Sequence, residues 1–377
     1  MGLLTRPDIE NQERALLASY AALSGDSRGR RYPQAPHPLR TAFQRDRDRI
    51  IHSTAFRRME YKTQVFVSYE QDHFRTRLTH TIEVSQISRT LARNLRLNED
   101  LAAAVALVHD LGHTPFGHAG EDVLDKLLSE HGGFNHNRQS LRIVDYLEQR
   151  YPDHPGLNLS YEVREGIVKH ETKVKISLPE FDDSKQPTLE ASLVDTADEI
   201  AYNAHDIDDG LSSGLIEYAD LSSQSFFPIL TSTVRDQVRT LEGDQRRYAL
   251  IRGLIDRMAS DVMAETLRRI EEARIVDLEA VRHSPYKLVG YSTEIKEAVA
   301  GLKSYLMQNL YRHPQLKLLS ERAREIITRL YETFRDNPGM MPLRFQKMLE
   351  KDPLEIVTAD YVAGMTDRFA EKIFSGL

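Results

Sequence analysis

The sequence predicts an all-α protein, and three observations support this class. Its 377 residues include only 19 glycines and 15 prolines, a smaller share than globular chains use on average. Apolar residues recur at spacings of three and four in several segments, and few runs alternate at a period of two. Because a spacing of three and four places side chains on one face of a helix, helices rather than strands are expected along the chain.

The length predicts two or three domains, or one large core with an appendage. We divide the chain into an N-terminal arm over residues 1–40, a helical core over residues 41–215 and a C-terminal helical region over residues 216–377. The arm is assigned because residues 24–38 are rich in Arg, Pro and Gly, with little apolar surface to bury.

Composition excludes several classes of protein. Lys and Arg number 50 and Asp and Glu number 57, so the net charge of −7 argues against a general polyanion binder. The absence of Cys excludes thiol nucleophiles, thiolate zinc sites and iron–sulfur clusters, which leaves His and carboxylate ligands for any metal. The most apolar stretch, residues 101–108, is far shorter than the roughly 20 residues of a membrane span. We therefore expect a cytoplasmic protein with no membrane partner.

The first strong helical pattern runs over about residues 77–95. Its apolar positions follow one another at spacings of four, three, four and four. This buried stripe consists of His80, Val84, Ile87, Leu91 and Leu95. A histidine is thus predicted to point inward from this helix.

The next helix has a clear start and a clear end. Asn98 is a good N-cap residue, and Gly112 and Pro115 break the pattern. His109 and Asp110 are predicted to lie in the last turn of this helix. An imidazole and a carboxylate would then stand side by side at the helix end.

A third informative helix spans about residues 189–204 and places a carboxylate, Asp198, on an otherwise small and apolar face. The other members of this face are Ala191, Val194, Ala201 and His205. A carboxylate in such surroundings requires a partner.

Seven of the 14 histidines lie between residues 73 and 136. They are His73, His80, His109, His113, His118, His131 and His136. An inward His, the His109–Asp110 pair and an inward Asp would offer nitrogen and oxygen ligands that suit Mn, Fe, Co, Ni, Zn or, less well, Mg. Four protein ligands on a six-coordinate ion leave positions for water and a substrate oxygen, so hydrolysis is the expected chemistry.

The segment 109–121, HDLGHTPFGHAGE, resembles the signature of the HD metallohydrolase superfamily in its dGTP triphosphohydrolase (dNTPase) branch. Further segments that resemble this family are 61–66, 75–84, 132–137, 195–206 and 359–368. The resemblance implies an all-α HD-domain helical core. It also implies an additional C-terminal helical region that completes the substrate pocket and the oligomer contacts.

The resemblance further implies a divalent metal, of unknown identity, that is held by His80, His109, Asp110 and an Asp of the later helix. In the family, the metal-binding Asp stands four residues before a Tyr of that helix. This spacing selects Asp198, four residues before Tyr202, over Asp195.

Catalytic residues follow from the same resemblance. His118 and Glu121 match the family pair in which an imidazole acts at the α-phosphate and a carboxylate orients it. Arg77 matches an arginine that reaches an α-phosphate oxygen, with a solvated surface arginine as the alternative. His113 and His136 match positions that contact the phosphates, although His113 could instead support the helix break.

Recognition of the sugar is implied by three residues. Gln64 matches the family Gln that reads the 3′ hydroxyl. Tyr202 and Asp206 match residues that pack beneath the sugar, where a close Tyr excludes a 2′ hydroxyl; a plain core aromatic is the alternative for Tyr202.

The resemblance therefore implies hydrolysis of dGTP or several dNTPs to deoxynucleoside and triphosphate. A second hypothesis is an HD phosphohydrolase that acts on a nucleoside monophosphate, a cyclic nucleotide or an alarmone. A third is a nucleic-acid-binding regulator with a vestigial site, although nucleic acid is not our predicted partner. Family members form dimers, tetramers or hexamers, often with effector nucleotides, so we expect a homo-oligomer.

Overall fold

A computed structural model of the chain describes residues 2–64, 75–170 and 176–377. Within these ranges the protein is all-α and has no β-sheet, as predicted. Its extended pairings there are two isolated bridges, Arg30 with Ser160 and Thr63 with Thr76. His73 of the histidine group and the last two residues of the segment 61–66 lie outside the described residues.

Nineteen α-helices occur in the described ranges. In chain order they are α1 (Arg6–Leu16), α2 (Ala42–Ile51), α3 (Thr54–Arg58), α4 (Arg77–Asn94), α5 (Glu99–Val108), α6 (His118–Leu127), α7 (His136–Arg142), α8 (Tyr161–Lys169), α9 (Leu189–Ser212), α10 (Tyr218–Ser222), α11 (Phe227–Leu230), α12 (Arg235–Thr240), α13 (Gly243–Glu272), α14 (Leu278–Arg282), α15 (Thr293–Leu306), α16 (Pro314–Asp336), α17 (Leu343–Met348), α18 (Leu354–Ala363) and α19 (Asp367–Phe374).

Shorter turns of other helical types connect some of these helices. Turns of 3₁₀ helix are Ser24–Asp26, Met59–Tyr61, Ser129–His131, Ser232–Val234 and Pro338–Met340. Single π-turns are Ile143–Leu147 and Met307–Tyr311.

The chain forms two compact units, each assembled from three segments. The first unit comprises Met1–Arg49, Thr81–Leu107 and Leu159–His313. The second unit comprises Ile50–His80, Val108–Asn158 and Pro314–Leu377. Both are therefore discontinuous in sequence, and the three-part division of the chain stays a prediction.

The second unit has its own apolar core, in which α16 packs against α6, α18 and α19. Its fully buried members come from segments that are far apart in sequence; Leu124, Ile326, Leu330 and Val362 are examples. Because the amphipathic α16 supplies several of these side chains, it joins α6 and the C-terminal helices in one core.

In the first unit the long helix α9 packs against α13, α15 and α8. The residues predicted to form an arm include α1, and they contact this unit. Arg28 lies 3.7 Å from the centroid of the Tyr161 ring, and its backbone N–H donates to Glu162 at 2.8 Å. No helix in the described part of the chain is long and apolar enough to cross a membrane.

The predicted helices are found, with different ends. Helix α4 buries the whole predicted stripe, and Asn98 caps α5 by accepting from the N–H groups of Asp100 and Leu101. However, α5 ends at Val108, so His109 and Asp110 lie in the turn after the helix rather than in its last turn. Helix α9 continues to Ser212, beyond the predicted end at residue 204.

Glu190, at the start of α9, is a buried carboxylate that ties three segments of the first unit together. Its Oε1 accepts from the backbone N–H of Ala22 at 2.9 Å and from that of Asn98 at 3.0 Å. Burial raises the pKa of Glu190 to about 7, and the two hydrogen bonds offset only part of this rise. Because folding raises this pKa, the protonated Glu190 carboxyl stabilises the folded state at low pH. That stability is lost as the pH rises through about 7.

Replacing Glu190 with Gln should remove this pH dependence, because the amide keeps an acceptor oxygen and carries no charge. When the pH rises from about 5 to about 8, the free energy of unfolding of the native protein should fall by about 2 kcal/mol relative to that of Glu190→Gln. Urea unfolding at the two pH values measures this shift. An unchanged difference between the two proteins would contradict the assigned pKa.

Candidate active site

The turn after α5 places His109 and Asp110, and Gly112 allows it to form. The N–H of Gly112 donates to the Ser140 hydroxyl at 2.8 Å, and that hydroxyl donates to the carbonyl of His109 at 3.0 Å. A Cβ at Gly112 would lie 2.0 Å from the carbonyl oxygen of His136. Only glycine permits this close approach of α7, so any side chain at position 112 would displace the turn from α7.

His80, His109 and Asp110 form a buried group with metal-ligand geometry. Each offers one ligand atom, and these atoms lie within 4.8 Å of one another. The two imidazole rings stand 6.0 Å apart and are tilted by 59°. Two imidazoles and one carboxylate are a donor set that suits a divalent transition metal, so these residues fit the implied ion.

Arg77, one turn before His80 on α4, is buried rather than solvated. Its Nη1 donates to Oδ2 of Asp110 at 3.0 Å. Burial by itself raises the pKa of Asp110, but His109, Arg77 and His113 outweigh it and hold that pKa well below its usual value. Asp110 is therefore ionised at neutral pH and available as a ligand.

His113 and His136 lie face to face. Their ring centroids are 4.0 Å apart with an angle of 15° between the planes. Nε2 of His113 lies 3.1 Å from Oδ1 of Asp110. Burial, Arg77 and His136 lower the pKa of His113 well below its usual value, so this ring is neutral at neutral pH.

Glu121 lies close to three histidines, of which His113 is the farthest, with its Nδ1 3.8 Å from Oε2. Nδ1 of His136 lies 2.8 Å from its Oε1, and the backbone N–H of His136 donates to the same oxygen at 3.0 Å. Nδ1 of His118 lies 3.6 Å from its Oε2. The sequence paired Glu121 with His118 alone, and the structure adds His136 as the closer partner. The side chain of His118 is 80% exposed.

Burial by itself raises the pKa of Glu121, but contacts with His118, His136 and His113 outweigh it and lower that pKa far below its usual value. The carboxylate is therefore ionised throughout the neutral range.

In the first unit, α9 carries three of the predicted site residues, Asp198, Tyr202 and Asp206, together with the alternative ligand Asp195. Oδ1 of Asp195 lies 2.6 Å from Nδ1 of His170, whereas Oδ2 of Asp198 lies 3.9 Å from Nε2 of the same ring. Asp195 is thus engaged by an imidazole, and the side chain of Asp198 is 30% exposed. The choice of Asp198 over Asp195 as a metal ligand stays a prediction.

His170 is a residue that the sequence reasoning missed. It follows the end of α8 and belongs neither to the dense histidine group nor to the quoted family segments. Only the fold brings it to Asp195 and Asp198.

The predicted sugar-binding residues have the following surroundings. Within the first unit, Asp206 accepts a hydrogen bond from the hydroxyl of Tyr311. Tyr202 is half-buried, with Nζ of Lys303 6.0 Å from its ring centroid, and burial raises its pKa. In the second unit, Oε1 of Gln64 is buried and has no hydrogen-bond partner among the described residues.

Two protein-family models match the chain. Residues 77–203 match the HD domain, and residues 289–375 match the phosphohydrolase-associated domain. The first match includes all of the candidate metal ligands, which are His80, His109, Asp110 and Asp198.

Curated relatives resemble the chain over almost its whole length. A protein of Azoarcus sp. (strain BH72) is 48% identical over 94% of this chain and 95% of its own. One of Thiobacillus denitrificans is 50% identical over 94% of this chain and 95% of its own. One of Geobacter metallireducens is 45% identical over 97% of this chain and 96% of its own. All three are named deoxyguanosinetriphosphate triphosphohydrolase-like proteins.

Proposed function

Because the chain belongs to the deoxyguanosinetriphosphate triphosphohydrolase-like family of the HD superfamily, we propose that it hydrolyses deoxynucleoside triphosphates to deoxynucleoside and triphosphate. Water attacks the α-phosphorus, the bond between phosphorus and the 5′ oxygen breaks, and a proton is delivered to that oxygen. The buried group of His80, His109 and Asp110 is the observation that carries this proposal.

Asp198 completes the proposed ligand set of the divalent ion. When bound, such an ion supplies positive charge to a phosphate oxygen and lowers the pKa of water. The protein contributes a carboxylate that is already ionised, Asp110, and adds to the imidazole of His109 that of His80, from the buried stripe of α4.

Arg77 is proposed to bind an α-phosphate oxygen. Its Nη1 is occupied by Asp110, while its Nε is buried and has no hydrogen-bond partner in the described part of the chain. A buried donor without an acceptor is costly, and a phosphate oxygen would satisfy it. Asp110 meanwhile fixes the orientation of the guanidinium group.

His118 is proposed to protonate the leaving 5′ oxygen. Glu121 remains ionised and lies 3.6 Å from its Nδ1, where it can orient the ring toward the leaving group. His136 is held by the same carboxylate, and the neutral His113 is stacked upon it. We assign both of these rings to contacts with the phosphates.

Selection of the sugar is assigned to Gln64, Tyr202 and Asp206. The unsatisfied Oε1 of Gln64 is an acceptor that a 3′ hydroxyl could donate to. A half-buried Tyr202 beneath the sugar would leave no room for a 2′ hydroxyl.

Product analysis tests the proposed function directly. The purified protein is incubated with each of the four dNTPs and with Mn or Mg, and the products are separated by chromatography. We expect tripolyphosphate and deoxynucleoside in equal amounts. Release of inorganic phosphate from a monophosphate substrate would favour another HD phosphohydrolase activity, and nucleic-acid binding without turnover would favour the regulator. Homo-oligomer formation, an effector nucleotide and a cytoplasmic location stay predictions.

A further inference from the structure

The segment 359–368 resembles the family, but the resemblance gives it no role. Within the second unit, Asp367 is the first residue of α19 and is 2% exposed. The helix is capped by its neighbour, because the Thr366 hydroxyl accepts from the N–H of Phe369 at 3.3 Å. The carboxylate of Asp367 is therefore not needed as the cap of its own helix.

Asp367 instead binds two separate loops. Its Oδ2 accepts from the backbone N–H of Thr63 at 2.8 Å and from the Thr63 hydroxyl at 2.5 Å. Its Oδ1 accepts from the backbone N–H of Phe116 at 3.0 Å. One loop leads directly into Gln64, and the other leads directly into His118.

The loop before His118 has an unfavourable backbone that requires support. Phe116 has a φ of 60° and Gly117 a φ of 59°, both in the left-handed region. A non-glycine residue rarely adopts this region, so Phe116 needs outside contacts to remain there. The Asp367 carboxylate supplies one, and the Thr114 hydroxyl supplies another by donating to the Gly117 carbonyl at 2.9 Å.

Lys62 reinforces the same connection. Its Nζ, which is buried, donates to the carbonyl of His113 at 2.5 Å and to that of Ala363 at 2.9 Å. Lys62 thus links the end of α18 to the carbonyl of His113, while Asp367 of α19 binds the N–H of Phe116 three residues later.

We propose that Asp367 is a positioning residue of the active site, which holds Gln64 for recognition of the 3′ hydroxyl and His118 for proton transfer. This assignment rests on the proposed function for its chemical meaning. Asp367 acts through Thr63 and Phe116 and does not itself touch the substrate.

The test compares Asp367→Asn with a matched variant, Asp360→Asn. Asparagine has the shape of aspartate, but it keeps one acceptor oxygen and turns an NH₂ group toward the other donors. Asp360 is an equally buried carboxylate of the same segment, which accepts from Gln139 and Arg142 and contacts neither loop. Both variants lose stability, so only effects that are specific to Asp367→Asn count.

The first readout is the ratio of kcat/KM for the best dNTP to kcat/KM for its 2′,3′-dideoxy analogue. Asp367→Asn should lower this ratio about 10-fold, the effect of about one hydrogen bond, whereas Asp360→Asn should leave it unchanged. Thr63→Val, which loses only the hydroxyl, should lower the ratio less. Gln64→Ala should lower the ratio to its minimum. Adding Asp367→Asn to Gln64→Ala should not lower the ratio again, because the contact with the 3′ hydroxyl is already lost.

The second readout needs no substrate. Hydrogen exchange at the amides of Thr63 and Phe116 should be faster in Asp367→Asn than in Asp360→Asn, compared at equal global stability. Equal exchange in the two variants would overturn the positioning role, and an equal loss of kcat/KM on both substrates would overturn its part in holding Gln64. A native protein that releases no triphosphate would instead contradict the proposed function, and the exchange rates would then decide whether Asp367 holds the two loops.

Discussion

Asp110→Asn should abolish metal binding and lower the turnover of dNTPs by more than about 100-fold, since loss even of a residue that only orients a ligand costs 10–100-fold. The carboxylate lies with His80 and His109 in the ligand group, and His113 and Arg77 also contact it. The amide keeps the shape of the side chain, but it removes the negative charge that a divalent ion requires. Metal content after gel filtration and steady-state kinetics with Mn or Mg measure the two effects.

Loss of the charge also leaves Arg77 buried without its carboxylate, which costs about 3–5 kcal/mol of stability. Asp46→Asn is the matched control, because Asp46 is a buried carboxylate of the first unit that pairs with Arg30 and accepts from the N–H of Ser160. The control should lose a similar amount of stability, yet keep its metal and its activity. If Asp110→Asn retained the metal, Asp110 would not be a ligand.

Asp198→Ala should lose bound metal and activity, whereas Asp195→Ala should keep the metal. Both carboxylates stand on α9, three residues apart, so each variant controls for the effect of a lost charge on this helix. Asp195 is held at 2.6 Å by His170, while Asp198 is 3.9 Å from the same ring and remains partly exposed. Its carboxylate therefore needs less rearrangement to bind an ion.

Metal titration by calorimetry at neutral pH distinguishes the two variants. The expected loss of activity for Asp198→Ala is again at least about 100-fold, by the reasoning given for Asp110. For Asp195→Ala we expect a smaller change, because the assigned ligand Asp198 is retained. The opposite pattern would transfer the ligand role to Asp195.

Apolar periodicity and capping residues correctly predicted those features of the fold that depend on interactions within a single helix. The stripe of α4 and the cap at Asn98 depend on residues within one helix, and both are found. The predicted end of α5 was wrong by two residues: the helix stops at Val108, and the turn that follows packs through Gly112 against Ser140 and the start of α7. Such a contact between segments that are distant in sequence leaves no trace in a local pattern.

In the candidate site, too, sequence reasoning succeeded for residues that are close along the chain and missed contacts between distant segments. Sequence spacing placed His109, Asp110, His118 and Glu121 near one another, since they are neighbours along the chain. It gave no sign that Arg77 neutralises Asp110, because that ion pair joins residues in different elements.

Two further contacts were also invisible to sequence spacing. The competition between His118 and His136 for Glu121 depends on how α7 packs, which no local pattern describes. His170 was missed for the same reason.

The discontinuous core of the second unit has a consequence for synthesis on the ribosome. Leu124 and its neighbours on α6 find their apolar partners on α16 and α18, about two hundred residues later in the chain. Until residues 314–377 have emerged, the segment that carries His109 and Asp110 has no complete core to fold upon, and its apolar side chains stay in contact with water. We therefore expect ribosome-bound chains arrested before α16 to bind chaperones.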